Sequence, residues 1–137
     1  MSEPLSIAVH AGDFDRVHYA LVMASAAAAS NRKVTLFFPG RAVHALTGCA
    51  GAPGWHALAA APDGAAARDA TLRARGVGGF EELLAACVEL GAHVIVCEMA
   101  LRAEAVDPAR LRADLEHEIA GVVTFLNQAA GGPIVFV

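Results

Sequence analysis

Charge and aromatic side chains are scarce in this chain. Of its 137 residues 18% are charged and 6% are aromatic, with a single tryptophan. Disorder is excluded, because disordered segments combine low hydrophobicity with high net charge, whereas 56% of this chain is hydrophobic. A long hydrophobic run is missing too. A membrane-spanning helix needs about 20 continuous apolar residues, and the longest candidate, Tyr19 to Ser30, is shorter and largely alanine and serine. No basic tract occurs and the net charge is −4, so nucleic acid is not an expected partner. Met1-Ser2-Glu3-Pro4 carries no basic region, so no secretory leader is expected. The three cysteines form no CxxC pair, which argues against a disulfide framework and a zinc site and leaves at least one thiol free. The six histidines show neither HxH nor HxxxH spacing, and there is no GxSxG elbow or GxxxxGK[ST] loop. No metal and no cofactor are expected.

What is present is alanine, glycine and a regular alternation of elements. The length suits one domain over 1–137, able to bury roughly 70% of its unfolded surface. So much small apolar surface also suits packing against further copies of the chain. Leu5 to His10 reads as a strand buried on both faces. Asp13 caps a following helix, in which Phe14, Val17, Leu21, Ala24 and Ala28 recur at helical spacing up to Asn31. Lys33 to Phe38 is a second buried strand, so the three elements form a βαβ unit with parallel strands. Arg41 to Leu46 reads as a short helix. The glycine-rich stretch 48–79 reads as an insertion or lid, with a helix at 65–75 and with Trp55 pinning it to the body. Phe80 to Leu90 is an amphipathic helix ended by Gly91, His93 to Cys97 a third buried strand, and Glu98 to Ala103 a helix. Asp107-Pro108 predicts a short helix over 108–114. Residues 115–119 fit a short strand or helix, 121–130 a helix, and 133–137 a last strand suited to a sheet edge. The pattern defines a three-layer α/β/α sandwich around a mostly parallel sheet of about five strands.

Ligands of such sheets bind beyond the carboxyl ends of the strands. Three segments converge there: His10-Ala11-Gly12-Asp13, Phe38-Pro39-Gly40-Arg41 and Cys97-Glu98-Met99. Cys97 stands where a strand ends and a helix begins, a place that favours a thiolate. A free thiol with a pKa of about 8.5 is only a few per cent ionised at pH 7. Lowering a thiol pKa by one unit takes about 1.4 kcal/mol, more than the 0.3–1 kcal/mol that a helix terminus supplies. A cation is therefore needed, and Arg102, His10 and Arg41 are the candidates, with Glu98 opposing them. Cys87 falls on the apolar face of its helix and reads as core. Cys49 lies in the glycine-rich stretch, either as a resolving thiol or as a bystander. These residues also fit a different use, a pocket for a small anion or nucleotide at His10, Arg41 and the Cys97 loop.

The order of elements, with the segment FEELLAACVELGAHVIVC followed by ALR and then IAGVVTFL, resembles the DsrE/DsrF-like family of small sulfur-relay proteins, including its TusBCD, DsrEFH and YchN-like members. The resemblance covers the chain outside 47–79. It implies a five-stranded parallel sheet, a strand near Glu116 to Ile119 and a helix starting near Gly121. It further implies a homotrimer, a homohexamer or a mixed hexamer, cytoplasmic sulfur transfer, and Cys97 as a persulfide carrier between donor and acceptor proteins. Members without the cysteine serve as assembly subunits, which is the alternative the resemblance leaves open.

Overall fold

Continuous apolar runs become the middle of a sheet, because only a strand covered on both faces favours hydrophobic residues at every position. In a computed structural model describing residues 3–48 and 52–137, these runs are β1 (Leu5–Ala8), β2 (Val34–Phe38) and β3 (His93–Cys97). Two three-residue strands, β4 (Glu118–Ala120) and β5 (Ile134–Phe136), complete a sheet of order β4-β3-β2-β1-β5. All four pairings are parallel. The last strand lies at an edge, as its proline suggested.

Each step from β1 to β4 moves one place in the same direction, so right-handed crossovers put their helices on one face. There α1 (Phe14–Ala29) packs against α3 (Phe80–Glu89). The return from β4 to β5 runs the other way and carries α5 (Val122–Gln128) across the second face, where Phe125 stacks on Phe37 at 4.7 Å. Helix α1 starts as its sequence dictates: the Asp13 carboxylate accepts the Arg16 N–H at 3.3 Å. It closes with Asn31 at φ 64°, a left-handed conformation that asparagine tolerates. Helix α3 buries Phe80, Leu84 and Cys87, while Leu90 ends the helix and is exposed.

Two segments depart from the expected pattern. The helix expected over 108–114 shrinks to a 3-10 turn, Pro108–Arg110. Tertiary pairing takes the backbone groups it would need: Arg112 N–H donates to Leu46 O at 2.9 Å, Gly48 N–H donates to Arg110 O at 2.9 Å, and Leu111 bridges Thr47. The glycine-rich stretch is built into the body along its described part. Trp55 is buried, donates Nε1–H to Glu81 at 2.6 Å and stacks on Phe80 at 4.9 Å. Ala59 pairs with Asp13, each strand segment exchanging a backbone bond: Phe14 N–H to Ala59 O at 2.8 Å and Ala59 N–H to Gly12 O at 3.1 Å. Helix α2 (Ala65–Ala74) follows, its Arg68 paired with Asp15 at 3.0 Å.

Asp69 on α2 explains how α3 begins. The residue before α3 is Gly79, which has no side chain to cap with. Asp69 supplies the acceptor from another element: its buried carboxylate takes the Phe80 N–H at 2.7 Å and the Arg73 Nε–H at 3.0 Å. A Cβ at position 79 would sit 2.6 Å from Arg73 Cδ, so a larger residue there would have to displace the exposed Arg73 side chain from Asp69. Asp69→Ala leaves a buried N–H without a partner. We expect a stability loss of about 1–3 kcal/mol, read by urea denaturation at unchanged m-value. A loss under about 0.5 kcal/mol would show that the cap is dispensable.

Candidate functional site

The carboxyl ends of β1, β2 and β3 lie side by side, so the loops that follow them form one row. Two of these loops touch. Gly40 adopts φ +60°, and a Cβ there would meet the His10 ring at 2.8 Å; a Cβ on Gly12 would meet the Arg41 side chain at 3.1 Å. Glycine at both positions is what lets the loops close on each other. His10 is exposed and stacks on Phe136 of β5 at 5.6 Å. Its N–H and that of Ala11 both donate to Val137 O, at 2.8 and 3.1 Å. His10, Gly12, Gly40 and Arg41 thus meet at one rim.

Cys97 stands at the adjoining strand end. Phe38 pairs with Val96, so Pro39 and Cys97 leave the sheet next to each other. Cys97 also pairs with Ala120 of β4 and shares a sheet face with Ile95 and Phe37. It is 3% exposed and belongs to the hydrophobic core. The helix that follows, α4 (Glu98–Ala103), begins at Cys97, whose side chain makes no capping hydrogen bond. Next to this buried thiol Met99 is 68% exposed and Glu98 is exposed as well.

The cations divide differently from the sequence expectation. Arg102 pairs with Glu98 at 3.1 Å, one helical turn apart on the surface of α4. An acid placed four residues before an arginine finds that partner on its own helix, so Arg102 is drawn to Glu98 and not dedicated to the thiol. Asp13 is committed to capping α1 and to Arg16. Arg41 forms no ion pair among the described residues. The described residues contain no group of three or more histidine, cysteine or acidic side chains placed to hold a metal ion.

The other thiols separate clearly. Cys87 is fully buried, donates its S–H to Leu21 O at 3.6 Å, and burial pushes its pKa up to about 11. A thiol so protonated is a poor nucleophile and packs as core. Cys49 lies outside the described residues.

Two polar networks had no strong signal in the sequence. Arg112 forms a double hydrogen bond to Glu81, at 2.7 and 2.8 Å, and also grips Asp114 at 2.8 Å. The Arg112 bonds hold the Glu81 carboxyl below its ordinary range, against the opposing effect of burial. Arg112 is pushed further into its charged form by Asp114 and Glu81. Glu81 also accepts from Trp55, so one carboxylate ties the glycine-rich stretch, α3 and the segment before β4 together. The second network joins His44 to Glu104 at 2.9 Å, linking the 3-10 segment Gly40–Leu46 to the end of α4. Partners 31 and 60 residues apart leave no local pattern.

A parallel five-stranded α/β sheet with converging loops at its carboxyl edge and a cysteine among them defines a small doubly wound domain with a thiol at the ligand end. The model of the DsrE/DsrF-like family matches residues 13–133, and the chain belongs to that family, whose members generally serve in sulfur relay and work in complexes. Among solved structures, the chain is similar to the protein of unknown function MTH1491 from Methanobacterium thermoautotrophicum, at 15% identity and TM-score 0.61, over 99% of this chain and 100% of that one. It is likewise similar to the YchN protein from E. coli, at 15% identity and TM-score 0.61, over the whole of both chains. At this identity the likeness is one of fold. Among curated proteins there is no match. No helix of the described residues is long and apolar enough to cross a membrane.

Proposed function

We propose that this protein is a sulfur-relay component in which Cys97 carries sulfane sulfur as a persulfide. The observation that carries the reading is the position of Cys97 at the ligand end of a parallel sheet, in a chain of the DsrE/DsrF-like family. The chemistry needs no cofactor. The Cys97 thiolate attacks the outer sulfur of a donor persulfide, R–S–SH. A sulfur–sulfur bond forms at Cys97, the donor's breaks, and the donor leaves as its thiolate. Transfer to an acceptor thiol repeats the exchange with Cys97 as the leaving group, so nothing is oxidised or reduced overall. His10, Gly12 and Arg41 form the rim that receives the partner, with Met99 as an apolar contact. Arg41 offers positive charge to the persulfide anion. Glu98 and Arg102, paired with each other, border the site, and Asp13 supports it by fixing the start of α1. The reaction suits a reducing compartment, the cytoplasm, where free thiols persist.

We further propose that the chain works as a homo-oligomer, a trimer or hexamer. Support comes from the exposed apolar side chains of α5 and the sheet edges, Val122, Val123, Leu126, Ile119, Ile134 and Phe136. The burial of Cys97 favours a second reading, a non-catalytic assembly subunit. One experiment separates the two. Incubation with glutathione persulfide, followed by intact-mass and peptide mass spectrometry, is expected to add one sulfur atom at Cys97 and to add none there in Cys97→Ser. Equal loading of the variant, or no loading of the wild type, overturns the carrier reading and leaves the assembly subunit.

A further inference from the structure

We propose that α5 is a cover over the Cys97 thiol, tethered chiefly by the Phe125 ring, and that its lifting from β3 admits the sulfur partner. The last clause rests on the carrier reading, because a carrier thiol has to meet another sulfur while Cys97 is 3% exposed.

The strand pairings fix which way the thiol faces. Phe37 is in register with Ile95, and residues two apart on a strand share a face, so His93, Ile95 and Cys97 stand on the Phe37 side of the sheet. Ile95 is in register with Glu118 and Cys97 with Ala120, so Glu118 and Ala120 stand there too. On that face α5 reaches to both sides of β3. Phe125 stacks on Phe37 of β2 at 4.7 Å, and Gln128 Nε2–H donates to Glu118 Oε1 of β4 at 3.3 Å. The helix therefore lies along β3. Its N-cap, Gly121, directly follows Ala120 at the carboxyl end of β4, whereas Gln128 near its far end meets Glu118, the first residue of β4. The helix thus runs back against the strand direction, and its first turn is the part beside Cys97.

That first turn is the part held least. Val122 and Val123 are exposed, and Gly121 has no side chain with which to cap the helix. The buried residues Phe125 and Ala129 and the Gln128 bond all belong to the other half. Leu126 is exposed as well, so one large side chain carries the apolar burial of α5 against the sheet. With seven residues, α5 has too few turns to persist once its first turn leaves, so it opens as a unit. Strand β3 stays in place meanwhile, paired to β2 and β4, and the face above it is uncovered.

The test is the rate of iodoacetamide alkylation at Cys97 and Cys87 of the full chain, resolved by peptide mass spectrometry over a series of low urea concentrations. A buried thiol reacts through whichever opening exposes it, and an opening that uncovers little surface depends weakly on urea. Cys87 lies between α3 and α1 on the opposite face, where its S–H meets Leu21 O, so it reports unfolding of the body. The Cys97 rate is expected to stay nearly flat with urea while the Cys87 rate climbs. Phe125→Ala removes the tether and is expected to speed Cys97 alkylation roughly tenfold or more. Gly121→Ser places a capping hydroxyl in open space, at φ −100° and ψ 179°, and is expected to slow it about twofold to fivefold. Asp69→Ala weakens the body on the α3 side and should speed Cys87 while leaving Cys97 unchanged. A Cys97 rate that climbs with urea as steeply as that of Cys87, a Cys97 response to Asp69→Ala, no acceleration in Phe125→Ala, or no slowing in Gly121→Ser overturns the cover. No persulfide enters these measurements. A failed cover thus leaves sulfur loading at Cys97 standing, and failed loading in a chain that shows the cover overturns only the carrier reading.

Discussion

Replacing Phe80 with alanine is expected to lower the unfolding free energy by about 3–5 kcal/mol, a large part of a small domain's total. Phe80 is fully buried, with Trp55 stacked at 4.9 Å and Phe14 at 6.2 Å. These rings come from α3, the glycine-rich stretch and α1, so the cavity would open where three parts of the chain meet. Collapse into it is hindered, because Phe80 N–H is fixed by Asp69 and Trp55 Nε1–H by Glu81. In a thermal melt the midpoint should fall by roughly 10 °C or more. A loss below about 1.5 kcal/mol would mean that the stretch repacks freely and is not part of the body.

The second large effect is expected from the smallest change. In Gly54→Ala, the new methyl group would overlap Thr47 Oγ1 and His44 O and lie 2.8 Å from Thr47 O. None of these atoms is the free end of a long side chain. Thr47 Oγ1–H donates to His44 O at 2.8 Å, and Gly54 N–H donates to Thr47 O at 2.9 Å. The 3-10 segments Gly40–Leu46 and Gly54–Ala57 would have to separate, at a cost of about 2–4 kcal/mol. Urea denaturation measures it, and a cost under about 1 kcal/mol would refute the close approach.

The strands and main helices were legible because their signals are local. HVIVC after Gly91 became β3 and EMALRA became α4 with their ends as read, since an apolar β-branched run and its flanking breakers fix both. Asp13 as a cap and Trp55 as a pin were legible on the same grounds. The helix over 108–114 failed because backbone pairing to 46–48 outweighed the Asp-Pro start signal. At the candidate site, topology placed His10, Gly40, Arg41 and Cys97 at one edge, but it could not tell that Cys97 is covered. Arg102 was one of three candidate cations for the thiol, although Glu98, four residues earlier, was the nearer claimant. Asp69 escaped notice because its only sign was a glycine at α3's start, ten residues further along the chain.

Both outer strands of the sheet are three residues long. A strand so short offers few free backbone groups on which another chain can build a ladder. The sheet is therefore poorly suited to grow from copy to copy, and intermolecular hydrogen-bonded growth of the amyloid kind has little template here. Any association between copies would be steered onto side-chain surfaces, where shape and not backbone pairing selects the partner.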